Sequence, residues 1–405
     1  MHIRSVTLGT DVSYPLDHNE LAAFEAFQEH ARARFHDAGL EVQTVRLATQ
    51  PFPKVLADEG PQGAAALAQE LEAICLEHGI DYCSLGPVLA TAPESDLSFI
   101  EAIPYAIRAT DAAFASVLVA AEGEGINLEA IARSAEIISD IARTTSDGFG
   151  NLRLAVLANC GPGSPFFPVS YHGGGPTRFS IATEAADLAV DAFQQADSLA
   201  DADARLRRSM KGAAEAIDGV AEKLETAFGF SYGGIDFCLA PFPETERSIG
   251  HALEQLGVDR FGSSGTLFTV AFLKRAIDGA DFKRCGFSSV MLPVLEDTVL
   301  AQRSMDAGFS LDSLLLYSTV CGTGLDTIPL PGDVSVAEVA GVLLDMATLA
   351  LVADKPLTAR LMPIPGKEAE DVTAFDFEYF VDGRVMRTPG RGAQKLFHRD
   401  EFWAV

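Results

Sequence analysis

Ile3-Arg4-Ser5-Val6-Thr7-Leu8, then the helical stretch Asn19–Ala38, then Val42-Gln43-Thr44-Val45-Arg46-Leu47 open the chain, and this opening decides the fold class. The two short runs alternate like strands. Between them Leu21, Phe24, Phe27 and Ala31 recur at helical spacing, so one face of the intervening helix is apolar. A strand, an amphipathic helix and a second strand form the unit of a parallel sheet. The rhythm continues outward. Gly63–His78 reads as a helix, and Tyr82–Leu85, Ala115–Val119 and Leu152–Leu157 as buried strands, with helices near Leu97–Arg108 and Leu128–Thr144 between them.

The second half keeps the rhythm less regularly. Strands are expected at Phe179–Ala182, Gly234–Ala240, Ser288–Leu292, Ala359–Pro363 and Phe375–Val381, the last two antiparallel. Helices are expected over Glu184–Phe228 with a break near Asp201, and over Ser248–Leu256, Thr266–Asp278, Glu296–Ala307 and Val336–Leu351. No internal repeat and no low-complexity linker appears. The expectation is therefore one domain over residues 1–405, with a β-rich C-terminal extension from about residue 356.

Composition narrows the function classes. The chain has 405 residues, 48% of them hydrophobic, and its 30 Lys+Arg against 57 Asp+Glu give a net charge of −27. A nucleic-acid binder needs a basic footprint, and an anionic membrane attracts basic segments. Neither partner is expected. The acidity reads as a solvated surface, with steering of a cationic substrate as the lesser alternative. Cys75, Cys83, Cys160, Cys238, Cys285 and Cys321 show no CxxC spacing. The N-terminus enters a strand directly, with no secretory apolar region, and no apolar stretch approaches a membrane span. A cytoplasmic protein with reduced cysteines is expected, as a homo-oligomer.

Three segments collect residues that packing alone does not require. The first, Asn159-Cys160-Gly161-Pro162-Gly163-Ser164-Pro165-Phe166-Phe167-Pro168 through Tyr171-His172, is long for an idle loop, and its phenylalanines between prolines argue against disorder. His172 is a candidate general base or metal ligand, with a structural hydrogen-bonded histidine as the plain alternative. Tyr171 and Cys160 are candidate substrate contacts. In the second segment, Gly233 to Pro243, Asp236 stands inside an apolar run, where a carboxylate must be paired, metal-bound or hydrogen-bonded to backbone. Cys238 reads as core.

The third segment is Cys321-Gly322-Thr323-Gly324-Leu325-Asp326-Thr327-Ile328-Pro329-Leu330-Pro331-Gly332-Asp333. Asp326 is a candidate catalytic group or ligand carboxylate, and Thr323 a substrate contact. Cys321 is either a nucleophile or buried packing. Asp333 is placed to cap the helix that starts near Val336. Elsewhere, Ser264 in Gly262-Ser263-Ser264-Gly265-Thr266 could meet an anion at a helix start, although no P-loop lysine follows. Lys355, Arg360 and Lys367 are candidate anion contacts, and Glu296 and Asp297 are site acids or first-turn acids. Asp236, Glu296 and Asp326 form the candidate metal set, for Mg, Ca, Mn or Zn. HExxH, GxSxG and a dinucleotide GxGxxG are all missing, so no nucleotide cofactor is signalled.

Pro165-Phe166-Phe167-Pro168 through Tyr171-His172, the Ile235–Pro241 run and the Cys321–Asp333 motif together make the chain resemble the family known as domain of unknown function 711. The resemblance covers the chain roughly from the first strand to Val381. It implies an α/β barrel of the pyruvate formate-lyase type: ten strands in two parallel half-barrels set antiparallel. It implies no catalytic residue. Glycyl-radical chemistry is not expected, because Arg384-Val385-Met386 is followed by Arg387 where such enzymes carry the radical glycine. The leading expectation is an enzyme doing acid–base chemistry on a small polar metabolite, with a divalent metal held by carboxylates. A non-catalytic small-molecule sensor is the alternative, and a transferase with a cysteine nucleophile the third option.

Overall fold

The computed structural model describes residues 1–390, 392–397 and 402–403. The strands are β1 (His2–Gly9), β2 (Val42–Ala48), β3 (Tyr82–Leu89), β4 (Ala113–Ala121), β5 (Gly125–Asn127), β6 (Leu154–Ala158), β7 (Arg178–Glu184), β8 (Ser231–Ala240), β9 (Gly324–Pro331), β10 (Leu357–Ile364) and β11 (Phe402–Trp403). They form one sheet in the order β8-β7-β1-β2-β3-β4-β6-β10-β9, with β5 paired to β4 and β11 to β5.

Strands β1, β2, β3, β4 and β6 are mutually parallel. At each edge of this block the direction reverses. β7 pairs antiparallel with β1, and β10 pairs antiparallel with β6. A further strand joins each of these in parallel, β8 beside β7 and β9 beside β10. The fold is therefore α/β with a large, mostly parallel sheet and helices. The hydrogen-bonded sheet is open between β8 and β9. Residues 284–293 run between these two edges, touching them through isolated parallel bridges, Arg284 to Ile235 and Pro293 to Asp326.

Alternation along the central strands explains the two faces. Ala113, Ala115, Val117 and Val119 of β4 join the main apolar core. Phe114 and Leu118, on the other face, belong to small clusters with Phe167 and with Cys160 and Val169. The first face packs on helices, as the apolar stripe of Ala23–Asp37 does through the buried Phe24, Phe27 and Ala31. The second face receives the loop from residue 159 to 175. Ser5 and Thr7 both donate to the Pro165 carbonyl (3.2 and 2.8 Å), and the Ser84 hydroxyl donates to the Ser170 carbonyl at 2.8 Å. Small hydroxyls on inward positions thus satisfy a buried stretch of loop backbone.

Several elements differ from the sequence expectation. Residues 195–198 separate the helices Ala186–Gln194 and Leu199–Phe228, and Ser198 caps the second through the Asp201 N–H, so the break lies before Asp201. The glycine- and proline-rich motif is itself strand β9 over Gly324–Pro331. Its prolines are tolerated because β9 is an edge of the sheet, where one row of N–H groups has no ladder partner to lose. Residues 288–292 and 375–381 carry no strand. The latter stretch instead turns its aromatic rings onto Phe149, at centroid distances of 5.7, 5.2 and 6.1 Å from Phe375, Phe377 and Phe380. Ser335, not Asp333, caps the helix Val336–Val352, in a reciprocal box with Glu338. Asp297 caps the helix Thr298–Met305. No helix among the described residues is long and apolar enough to cross a membrane.

Candidate active site

A cavity of about 340 Å³ lies on the concave face, between the inserted loop and the aromatic stretch near residue 377. That volume falls within the range of small-ligand sites. Its walls come from β1, β2 and β3 (Arg4, Gln43, Thr44, Arg46, Tyr82) and from β9 and β10 (Asp326, Thr358, Arg360). Phe166, Phe167, Pro168 and Val169 of the inserted loop also line it, as do Phe287, Met291, Phe377 and Tyr379.

Charge is concentrated along one wall. Arg360 donates from Nε to Asp326 Oδ1 at 2.7 Å and from its terminal nitrogen to Glu296 Oε1 at 2.7 Å. Arg4 donates to Glu296 Oε2 at 2.6 Å and to Glu184 Oε2 at 3.3 Å. Gln43 donates to Glu184 Oε2 at 2.6 Å, and Arg247 contacts its other oxygen. Burial opposes ionisation of Glu296, but Arg4 and Arg360 outweigh it and hold its pKa below the ordinary value. Asp326 is shifted the other way: burial raises its pKa, Glu296 adds to the rise, and Arg360 offsets it only in part. Two carboxylates around one guanidinium are thus driven apart, one held charged and one inclined to keep its proton. The contacts from Arg360 to Asp326 both fall on Oδ1, so Oδ2 takes no hydrogen bond from the described residues. The Thr323 hydroxyl at the cavity wall is buried and also has no protein partner among them.

Arg46 differs from its neighbours. It is 9% exposed, its Nε donates to Thr44 Oγ1 at 2.9 Å, and its guanidinium lies 5.3 Å from the Phe167 ring and 5.6 Å from the Tyr82 ring. Burial, with Arg4 nearby, pulls its pKa down to about 10.

Of the expected site residues, the structure brings Asp326, Glu296, Arg360 and Thr323 together at this cavity. It does not bring His172 or Asp236 to them. His172 lies at the other end of the strands: its N–H donates to the Thr49 carbonyl just past β2 at 2.8 Å, and its ring packs by Gly9 at the end of β1. There it lines a small recess with Tyr171 and Arg178, and its Nδ1 is buried without a partner among the described residues. Asp236 is fully buried in β8 and accepts the N–H groups of Phe287 and Ser288, each at 2.7 Å, and the Cys238 thiol at 2.9 Å. The candidate metal set is therefore divided. Among the described residues no group of three or more His, Cys, Asp or Glu side chains is placed to hold a metal. The oxygens of Glu296 and Oδ1 of Asp326 already face guanidinium groups, which does not fit a divalent cation.

The remaining candidates lie elsewhere. Tyr171 donates to the Cys160 carbonyl at 3.1 Å, and the Cys160 thiol faces the carbonyls of Ala158 and Leu357, both at 3.4 Å. Burial pushes that thiol up to about 12. Cys321 is fully buried within the main core, away from the cavity wall, and its carbonyl accepts from Lys355. Ser264 is exposed in the turn before the helix Thr266–Asp278. Lys367 is no part of the cavity wall, and its carbonyl accepts the Gly332 N–H at 3.0 Å. Sequence reasoning passes over Arg4 and Arg46. The available signal was a strongly basic residue inside a strand of a sheet covered on both faces, a place where a charge needs a reason.

Comparison with known proteins follows the same outline. A family model described as "Uncharacterised ACR (DUF711)" matches residues 1–378. A UPF0210 protein of Methanopyrus kandleri is 31% identical over 370 residues, 87% of this chain and 80% of the relative. One from Pyrobaculum aerophilum is 31% identical over 396 residues, 92% of this chain and 87% of the relative. One from Desulforudis audaxviator is 30% identical over 381 residues, 89% of this chain and 82% of the relative.

Proposed function

The chain belongs to the DUF711 family, and from the site built on its fold we propose an enzyme that performs acid–base chemistry on a small polar metabolite. One observation carries this reading. Asp326 is a buried carboxyl at the wall of a ligand-sized cavity, with a raised pKa, one oxygen clamped by Arg360 and the other uncommitted. Such a group can donate a proton from Oδ2 to a leaving or carbonyl oxygen and take one back as the carboxylate. Arg360 fixes its orientation, and Glu296, kept charged, fixes Arg360 and Arg4. The Thr323 hydroxyl supplies a further hydrogen bond to the ligand. Hydrolysis, carbon–heteroatom cleavage and group transfer all use a proton handled in this way.

In the same proposal residues 284–293 act as a tenth, irregular strand. With β7, β8, β9 and β10 they would make a second five-stranded half, antiparallel to the half formed by β1, β2, β3, β4 and β6. The two isolated bridges to Ile235 and Asp326 support this closure into a barrel.

The test is turnover across a panel of small metabolites, followed by mass spectrometry, with wild type and Asp326→Asn compared. Wild type is expected to convert at least one compound, and the variant to bind it while losing about a hundredfold or more in rate. Full turnover by Asp326→Asn would remove the proposed acid–base group. A compound that raises the melting temperature of wild type without being converted would identify a sensor instead.

A further inference from the structure

Every arginine at the cavity but one is held by acceptors of the protein. Arg4 and Arg360 are answered by Glu296, Asp326 and Glu184. Arg153 is spent on backbone, donating to the carbonyls of Ile107 and Ala113 at 2.7 and 3.2 Å. Arg46 alone is left over: its only hydrogen bond among the described residues is the one from Nε to Thr44, and its terminal nitrogens have no acceptor. A buried guanidinium without a carboxylate is costly, and its planar fork matches a carboxylate through two parallel hydrogen bonds. The guanidinium lies over the Tyr82 and Phe167 rings, which limit its motion, so less entropy is lost when a ligand arrives.

We infer that Arg46 is the docking cation of the cavity and that the small metabolite of the proposed function is a monocarboxylate, polar at the end that meets Arg46 and apolar, preferably aromatic, in the rest of its body. A single guanidinium fork without an acceptor matches a single carboxylate; a phosphate dianion would put more negative charge beside Glu296. The rest of the lining suits an apolar body, because Phe166, Phe167, Phe287, Met291, Phe377 and Tyr379 surround the same space. Carboxylate binding at Arg46 places the body of the ligand against these rings and within the cavity that Asp326 borders. The inference rests on this cavity being the ligand site of the proposed function, but not on Asp326 carrying out chemistry there.

The experiment measures binding by calorimetry of phenylacetate, phenyl phosphate and phenylacetamide to wild type, Arg46→Met and Asp326→Asn. Methionine keeps the apolar stem of the arginine and removes the guanidinium with its one hydrogen bond to Thr44, and circular dichroism checks that each variant is folded. Phenylacetate should bind wild type and Asp326→Asn and lose about tenfold or more in affinity to Arg46→Met. Phenylacetamide should bind wild type no better than it binds Arg46→Met. Equal phenylacetate affinity in wild type and Arg46→Met, or no phenylacetate binding to wild type, overturns the inference. Tighter binding of phenyl phosphate than of phenylacetate overturns the carboxylate class. If phenylacetate depends on Arg46 while Asp326→Asn turns substrates over at full rate, the docking site stands and the enzymatic reading falls. The converse result separates them the other way.

Discussion

Asp236 shows how a buried carboxylate can be structural. It closes the gap between β8 and the irregular stretch after Arg284 by accepting two backbone N–H groups, and burial raises its pKa to about 6 in spite of them. The sign of the pH effect follows. The folded state binds this proton more tightly than the unfolded chain, whose aspartates titrate near 3.9. Its stabilising contribution is therefore fully present below that value and is lost as the pH rises through about 6. Between pH 4 and 7 wild type should lose roughly 2 kcal/mol relative to Asp236→Asn in urea unfolding. A constant difference across that range would show that Asp236 ionises normally. At this scale the sequence was informative wherever an ionisable group interrupts an apolar run, as Asp236, Asp326 and Arg360 do. For Arg4 and Arg46 the signal is fainter, because each also fits the alternation of a strand with one polar face. At His172 and Cys321 it left a chemical and a structural reading open, because a glycine-rich setting serves close backbone approach as readily as it serves chemistry. Gly324, with φ 91°, is an instance: a Cβ there would sit 2.3 Å from the Thr358 carbonyl oxygen of the neighbouring strand.

At the level of elements, the stretch around residues 371–383 covers the cavity without regular secondary structure. Phe149 is its anchor, packing on Phe375, Phe377 and Phe380, and Tyr379 meets Phe242 at 5.9 Å and the Arg4 guanidinium at 5.7 Å. Backbone ties are few; Val381 donates to the Leu295 carbonyl at 2.8 Å and Thr373 to that of Gly383 at 2.9 Å. Phe149→Ala should cost about 2–3 kcal/mol and speed hydrogen exchange at the Phe380 and Val381 amides ahead of the sheet. Unchanged protection there would mean that Phe149 does not hold the stretch down. Its seven-residue aromatic pattern was read as a strand because alternation of Phe375, Phe377 and Tyr379 imitates period two. What the sequence could not convey is that these rings find partners in Phe149 and Phe242 rather than a neighbouring strand. The long loop after β6 was legible as an ordered insertion, since its prolines and phenylalanines have no place in a solvated linker. That it enters the concave face depends on Ser5, Thr7 and Ser84, far away in the chain.

For the molecule as a whole, the βαβα reading of the first half carried through to the parallel block β1, β2, β3, β4 and β6, because local periodicity suffices for strands buried on both faces. The order of the second half was not legible, since β7 and β10 attach to opposite edges of that block and their partners are set by tertiary docking. A net charge of −27 resides in the same molecule as an arginine-lined cavity, so bulk composition described the surface and not the site.

The two antiparallel seams have a consequence for how the chain is made. All five strands of the parallel block lie before residue 159, so a growing chain holds every partner needed for that block well before β7 emerges. Until then β1 and β6 are bare edges, open to pairing with other chains, and Arg4 lacks its partners Glu184 of β7 and Glu296. Synthesis should therefore pass through a half-sheet that is ordered but adhesive. Ribosome-stalled chains ending near residue 200 should resist brief proteolysis in the first 158 residues while binding a holdase chaperone, whereas full-length chains should not bind it. Complete digestion of the stalled chains would instead mean that the halves fold only together.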